Sequence, residues 1–403
     1  MENGELRVEN GSAWREVRLG DVIELIIDHR GKTPKKLGGD WSLNGYRAIS
    51  AKTVKNGVLV NEDKMNILPK NLYQQWMKEE VKYGDIFLTS EAPLGEHLIW
   101  KSYEKVILSQ RIFGIRTNKT IINPFYFNYF IDSPYYQHEL TCRESGSTVT
   151  GIKQSELLKT RILFPPLPEQ KAIAEVLSAL DDKIDLLHRQ NKTLEQMAET
   201  LFRQWFVVES GEDWVEKPLS SVANFLNGLA CQKFPPKNEV DKFPVLKIKQ
   251  LRNGFSDECD WCTTEVKAEY IIENGDVIFS WSASLMVKIW DGDQCILNQH
   301  LFKVTSDDFP KWYYYLWSKH HLAEFVSISS SHATTMGHIK RGDLDDAMVL
   351  VPSPEESEEF SEIFTPLLDK IISNNKRLKN LTSLRDTLLP KLMSGEVRIA
   401  SNG

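Results

Sequence analysis

Almost every signature of enzymatic chemistry is missing from this chain of 403 residues. There is no GxxxxGK[ST] loop to cradle ATP phosphates and no GxGxxG turn for a dinucleotide. FPPL at Phe164–Leu167 lacks the leading Asp, Asn or Ser and the trailing aromatic of an amino-methyltransferase loop. A metal nuclease of the D…ExK kind fails twice, because SEAP follows the strand of Asp85 and SWSAS that of Asp276. Cysteine is scarce, and its odd count of 5 points to reduced thiols rather than a disulfide framework. Cys259 and Cys262 form one CxxC without a second pair at zinc-ribbon spacing, and Cys231 and Cys295 could complete a site only through folding, so no metal is expected. No apolar run reaches the ~18–20 residues of a membrane span. The opening MENGELRVENGSA lacks the basic start and apolar stretch of a signal peptide, so a cytoplasmic protein is expected. An excess of positive charge is missing too: the net charge is −7 and the pI about 5.8. Nucleic-acid contact would have to rest on local charge.

What the chain has is a tandem repeat. Trp14, Leu19 and Val22 recur as Trp214, Leu219 and Val222, and KNG at Lys55–Gly57 recurs as RNG at Arg252–Gly254. YGDIFLT from Tyr83 returns as NGDVIFS from Asn274, ILSQRIF from Ile107 as ILNQHLF from Ile296, and TVTGIK from Thr148 as TTMGHIK from Thr334. The order is kept while loops shorten, as a duplicated unit requires. Short apolar, β-rich runs bounded by Gly, Pro or Asn (GDIFLT, KVILSQRIFGIR, and RILF at Arg161–Phe164) read as strands. FYFNYFIDSPYYQHEL from Phe125 and KWYYYLWSKHHLAEFV from Lys311 read as helices whose aromatic faces serve the core. Each unit is α+β.

A long amphipathic helix follows each unit. After the PPLPEQ start, Ile173, Leu177, Leu180, Ile184, Leu187, Asn191, Leu194, Ala198, Leu201 and Trp205 keep the alternating steps of a heptad seam. Phe360, Phe364, Leu367, Ile371, Asn374, Leu378, Leu381, Arg385, Leu388 and Leu392 repeat it 187 positions on (Ile173 to Phe360). The two seams predict an antiparallel pair with Ile173 beside Leu392 and Asn191 opposite Asn374, a polar pair that fixes register at some cost in stability. Pro366 is tolerable early in the second helix, whereas Pro390 should kink or fray its last turn. The expected organisation is a flexible N-terminus (1–13), a first domain (14–164), a helix (165–207), a second domain (208–352), a second helix (353–394) and a tail (395–403).

What remains for function is a binding surface. Between Asp28 and Lys55 of the first unit, Arg30, Lys32, Lys35, Lys36, Arg47, Lys52 and Lys55 stand against only Asp28 and Asp40. The matching stretch of the second carries Lys233, Lys237, Lys242, Lys247, Lys249 and Arg252, with Gln232 and Gln250 among them. Lys and Arg on loops hold phosphates, whereas Arg, Gln and Asn pair with base edges. Gln110–Arg111 and Gln299–His300 occupy equivalent strand positions, with Asn298 beside the second pair. The loops Gly146–Lys153 and Ser331–Lys340 offer hydroxyls and N–H groups to phosphate, through Ser147, Thr148 and Lys153 in one and Thr334, Thr335 and Lys340 in the other. Asp181–Asp182 and Asp345–Asp346 read as solvated faces, and His320–His321 as surface or packing residues.

The order of these parts resembles the specificity subunit of type I restriction–modification systems. The resemblance runs from Trp14 to Ile399 and is most specific at PPLPEQ, at LDDKIDLL (Leu180–Leu187) and at LLPKLMSGEVRI (Leu388–Ile399). It implies two pseudo-symmetric target recognition domains joined by two long antiparallel coiled-coil helices. Each domain would read one half of a split, asymmetric site on double-stranded DNA. The helix pair, roughly 50 Å long over the first seam at ~1.5 Å per residue, would set the gap and dock two methyltransferase subunits, to which restriction subunits add. S-adenosylmethionine, ATP and Mg would belong to those partners, and this chain would catalyse nothing and touch no membrane. Val54–Asp63 and Thr263–Glu273 align poorly between the repeats, and Arg385 takes a seam position that suits an apolar residue. Two other readings of the residues stay open: a self-contained restriction nuclease, and a coiled-coil adaptor whose duplicated units bind protein.

Overall fold

The computed structural model describes residues 6–7, 14–146, 150–255, 258–331 and 337–399. It divides into two compact units, Met1–Asp182 with Ser383–Gly403, and Lys183–Thr382. The division cuts across both long helices, so each unit owns a globular part and a stretch of each helix. The boundaries expected from sequence had set the helices apart from the globular parts.

The first unit is built on a four-stranded antiparallel sheet in the order Ile23–Asp28, Ile112–Thr117, Ile86–Thr89, His97–Ile99. Ile112–Thr117 and Ile86–Thr89 are buried along their whole length, which is why they read as unbroken apolar runs rather than alternating ones. A smaller sheet places Tyr46–Ile49 between Ile107–Leu108, its parallel partner, and Ile67–Leu68. In a third sheet Trp14–Arg18 pairs with Leu6–Arg7 on one side and Arg161–Phe164 on the other. The second unit repeats the main sheet as Asn224–Asn227, Leu301–Thr305, Val277–Ser280 and Met286–Ile289. It also repeats the parallel pair, as Lys242–Leu246 with Cys295–Leu297. The units diverge at Ile271–Ile272, which pairs with Cys295–Leu297, whereas Ile67–Leu68 pairs with Tyr46–Ile49. This is the region where the two sequences align poorly.

The GD pair that opens a strand in each copy makes the same turn. Gly84 (φ 91°) and Gly275 (φ 94°) take a left-handed conformation that suits glycine. The following carboxylate accepts a backbone N–H at 2.8 Å, from Lys82 to Asp85 and from Glu273 to Asp276. Asp85 also holds Arg116 through Nε (2.9 Å) and Nη2 (2.7 Å) in the core of the first unit, and Asp276 meets Lys303 at 2.8 Å.

Both aromatic helices are broken. The first is Pro124–Ile131 and Pro134–Thr141, because Pro134 begins a new helix behind Ser133, whose Oγ accepts from Tyr136 N. The second is Lys311–His320 and Leu322–Ser331. Their rings line the cores as expected: Tyr126, Phe127, Phe130 and Tyr136 in one unit, Trp312, Tyr313 and Trp317 in the other.

The long helices run Leu167–Arg203, continued by a π-helical turn at Gln204–Val208, and Pro354–Ser394. The helix passes through Pro390 to Ser394 without the fraying expected of it. All twenty seam positions are buried or half-buried, including Leu180, Ile184, Leu194, Leu367, Leu381 and Leu388, while Leu186, Met197, Ile363 and Leu384 off the seam are exposed. Within the first unit Ile173, Leu177, Leu388 and Leu392 share one core, and Arg385 meets Asp181 at 3.2 Å. Within the second, Asn374 Nδ2 donates to Asn191 Oδ1 at 2.9 Å, and Trp205 packs on Phe360 and Phe364. These pairings run antiparallel in the register that the two seams predict. Arg385 is therefore satisfied within the chain, and Asp181, which also accepts from Tyr129 Oη at 2.6 Å, is not the solvated carboxylate expected of it.

The helix starts are tied down by the residues that make PPLPEQ distinctive. Gln170 is fully buried; it accepts from Asn123 N (2.8 Å) and donates to Pro165 O (2.9 Å) and Ile121 O (3.1 Å). Glu169 receives Arg398 of the tail at 3.0 and 2.5 Å. Glu356, at the same place in the second helix, accepts from Trp214 Nε1 at 3.0 Å.

Candidate nucleic-acid interface

In each unit the chain crosses from the small sheet to the main sheet through a three-residue turn, Ser109–Arg111 or Asn298–His300. The first turn is pinned on both sides: Ser109 N donates to Ile49 O (2.8 Å), Ala51 N to Gln110 O (3.3 Å), and Ser90 N to Arg111 O (2.9 Å). The second is pinned by Asn298 N to Leu246 O (3.3 Å) and Gln299 N to Leu229 O (2.8 Å). The segment that follows the GD strand and the loop that ends in Ile-Lys (Ile152–Lys153 or Ile339–Lys340) join each turn. Glu91 bridges Gly151 and Ser282 bridges His338 in antiparallel fashion. The approach at Gly151 is so close that a Cβ there would stand 2.8 Å from Ser90 O, which explains that glycine.

These turns gather only some of the residues proposed from sequence. Gln110 and Arg111 are exposed, Gln299 and His300 half-exposed. Lys52 and its counterpart Lys249 are exposed beside the two turns, and neither has a partner among the described residues. Lys35, Lys36, Lys153, Gln232, Lys233, Arg252 and Lys340 are exposed as well, Lys36 donating to Gly31 O at 2.7 Å. In the second unit a cleft of about 620 Å3 is lined by Gln232, Lys247, Lys249, Trp261, Gln299 and His300. The ring of Trp261 is open to it, with the Lys242 ammonium 4.5 Å from its centre.

Several expected contacts are engaged elsewhere. Arg30 forms a two-point ion pair with Asp28 (2.9 and 2.7 Å) and lies 4.1 Å over the Phe113 ring, so its fork is spent on the fold. Lys32 donates to Trp76 O at 2.6 Å, and burial together with Lys78 pushes its pKa down. Arg47 is clamped between Glu104 (2.7 Å) and Glu62 (2.5 Å), which raise its pKa. Lys247 pairs with Asp260. Gln250 is buried, because the one-and-a-half-turn helix Ile248–Asn253 turns it and Leu251 inward. Asn298 is buried too, its Oδ1 accepting from His300 N at 3.3 Å, so it shapes the turn rather than reading from it. Ser147, Thr148, Thr334 and Thr335 lie outside the described residues.

The structure adds residues that charge counting passed over: Glu91, which meets Arg111 Nε at 3.0 Å, and Ser282, whose Oγ lies 3.2 Å from His300 Nδ1. Both stand at the same position after the GD strand, a signal that the repeat alignment carried. Trp281, beside Ser282, stacks near His300 (5.9 Å) and Phe302 (5.8 Å). Cys231 and Cys262 are buried, and burial pushes the Cys231 thiol up to about 12, which keeps it protonated. Among the described residues no three His, Cys, Asp or Glu side chains gather as a metal site would require, and no helix is long and apolar enough to cross a membrane.

The family described as type I restriction modification DNA specificity domain matches residues 11–196 and again 211–383. The chain belongs to that family. Two matches in one chain place a specificity domain on each globular part. The chain is 26% identical to the type I restriction enzyme MjaIX specificity subunit of Methanocaldococcus jannaschii, over 91% of this chain and 86% of that one. It is 24% identical to the EcoKI specificity subunit of Escherichia coli K12, over 95% and 89%. Among solved structures, the type I system S subunit of M. genitalium shares the fold, with a TM-score of 0.62 at 15% identity, covering 97% of this chain and 99% of that one. In this member of the specificity family, the accessible residues of the paired turns differ at one place, Arg111 in the first domain and His300 in the second.

Proposed function

We propose that this chain is the sequence-specificity subunit of a type I restriction–modification complex, in which each unit reads one half of a bipartite target on double-stranded DNA. The observation that carries the proposal is the repeated site. Each unit of this specificity-family chain presents a turn at the same place, and the two turns share a glutamine, Gln110 or Gln299, but differ in the residue after it, Arg111 in one and His300 in the other. Turns at equivalent places with an unequal reading group, Arg111 against His300, suit an asymmetric target, since groove contacts to base edges carry sequence and lysine contacts to phosphate carry position. Lys35, Lys52, Lys153, Lys233, Lys249 and Lys340 supply the second kind and answer the objection raised by the acidic total. The helix pair sets the gap between half-sites and docks two methyltransferase subunits, through which restriction subunits join. S-adenosylmethionine, ATP and Mg belong to those partners, and this chain holds no cofactor of its own.

The test is methylation mapping at base resolution in cells that co-express the chain with its methyltransferase subunits. The expected result is a split, asymmetric motif with one methyladenine in each half. A palindromic motif, or an unmethylated genome with the complex shown to assemble, refutes the proposal.

A further inference from the structure

The pair formed by Glu91 and Arg111 has a counterpart at the same place in the second unit. Aligning GDIFLTSEA with GDVIFSWSA sets Glu91 on Ser282, and aligning ILSQRIF with ILNQHLF sets Arg111 on His300. Both pairs are in contact, carboxylate to guanidinium at 3.0 Å and hydroxyl to imidazole at 3.2 Å. Each is braced in the same way, by an antiparallel bridge to the residue before an Ile-Lys pair, Glu91 to Gly151 or Ser282 to His338, and by a left-handed alanine just beyond, Ala92 (φ 53°) or Ala283 (φ 58°). The bracing is duplicated, but the left-handed backbone of Arg111 is not repeated at His300, and the chemistry of the pair is exchanged.

Stability does not account for the first pair. Arg111 is 47% exposed and Glu91 36%, and ion pairs so open to water add little to folding. Arg111 nevertheless holds a left-handed backbone, φ 62°, which is unfavourable for a side chain of its kind. Strain kept at an exposed residue of small structural value is a mark of function. Glu91 engages Arg111 at Nε, and the two terminal nitrogens of the guanidinium make no hydrogen bond among the described residues. An arginine held at Nε presents those nitrogens as a rigid fork, the geometry that matches O6 and N7 of guanine in the major groove.

We infer that positions 91 and 111 in the first unit, and 282 and 300 in the second, are the base-discriminating pair of each recognition domain, with Arg111 reading a guanine and Glu91 acting as its positioning residue. The inference rests on the proposed DNA reading and adds which residues discriminate and for which base. At the equivalent place the second unit carries no arginine; His300, held by Ser282 and approached by the Gln299 amide at 3.4 Å, makes no such demand for guanine. The two half-sites therefore differ at corresponding positions.

The experiment uses the full chain assembled with its methyltransferase subunits. It combines methylation mapping with binding to a set of duplexes that differ at single base pairs, at fixed salt. Arg111→Lys keeps the charge and removes the fork. The expected result is a tenfold to hundredfold loss of preference at one G·C pair of one half-site, about the discrimination of a bidentate contact, with the other half unchanged. The graft Glu91→Ser with Arg111→His should remove the guanine requirement altogether while leaving the second half intact. Glu91→Gln should weaken preference at the same base pair and at no other. Unchanged preference in Arg111→Lys overturns the inference. So does an even loss of affinity across all duplexes in Arg111→Ala with a salt slope reduced by about one, the behaviour of a phosphate contact. If the graft fails to fold, Arg111→Lys decides alone. A wild-type complex with no bipartite motif would sink the proposed function, whereas a bipartite motif that ignores position 111 would sink only this inference.

Discussion

Asp85 and Asp276 occupy equivalent turns but different surroundings, and the difference fixes what each contributes. We predict that Asp85→Ala destabilises its unit by about 3–5 kcal/mol, the usual result of removing one partner of a buried ion pair. Asp85 is 2% exposed and Arg116 7%; without the carboxylate the guanidinium keeps, among the described residues, only the hydrogen bond to Glu80 O, at 2.7 Å. Asp276 and Lys303 are 23% and 16% exposed, so solvent screens their attraction and rehydrates the survivor. Asp276→Ala should then cost about 1–2 kcal/mol, between the buried and the surface limits. The backbone cap lost with each carboxylate is 2.8 Å long in both units, so it cancels in the comparison. Urea unfolding followed by tryptophan fluorescence reads both units, since Trp100 and Trp290 lie next to the two turns. Replacing the whole pair with apolar residues, Asp85→Leu with Arg116→Met, should recover most of the loss, because no buried charge is left unpaired. The reasoning fails if Asp85→Ala costs no more than Asp276→Ala, or if the double variant is as unstable as the single one.

Two further outcomes follow from buried polar groups. Asn374 is fully buried and its Oδ1 has no hydrogen-bond partner among the described residues, so replacing Asn191 and Asn374 together by Leu should stabilise the second unit by about 1–2 kcal/mol, read as a higher urea midpoint, while loosening the register; a lower midpoint would contradict this. His29 has its pKa pushed down to about 4 by burial and by Lys32, below the ordinary value of 6.5. The unfolded chain thus binds the proton more readily, and stability that is complete above pH 6.5 is lost as pH falls toward 4. His29→Asn should flatten the stability profile between pH 6.5 and 5, above the range of ordinary carboxylates, and an unchanged profile would remove His29 from the account.

Legibility followed the range of the interaction. The seams from Ile173 to Trp205 and from Phe360 to Leu392 are written in local steps of three and four, so helix extent, antiparallel pairing and the Asn191–Asn374 contact are readable in the sequence. The buried strands were readable for the same reason, since GDIFLT and GDVIFS are apolar on both faces. Which cations are free was not readable. Arg47 is neutralised by Glu62 and Glu104, 15 and 57 positions away, and Lys32 is occupied by a carbonyl 44 positions away. Gln250 failed for a reason of phase, because in one short helix its charged neighbours Lys249 and Arg252 face outward and it does not. Glu91 was visible as a letter in SEAP, but its meaning required knowing that the strand end of Asp85 and the turn of Arg111 come together.

The link from Glu169 to Arg398 joins residues 229 positions apart, and the same tail brings Gly395 against the Trp14 ring. Between Asp182 and Ser383 the ribosome must make all of Lys183–Thr382. At ~5–20 residues per second that interval lasts on the order of 10–40 s. The unit that begins the chain is therefore the last to be closed: throughout that time Glu169 lacks Arg398 and Trp14 lacks Gly395, and at its end the other unit already has its complete sequence. Synthesis order and completion order are reversed, and nascent chains that stall late in translation would carry a finished second unit and an unfinished first.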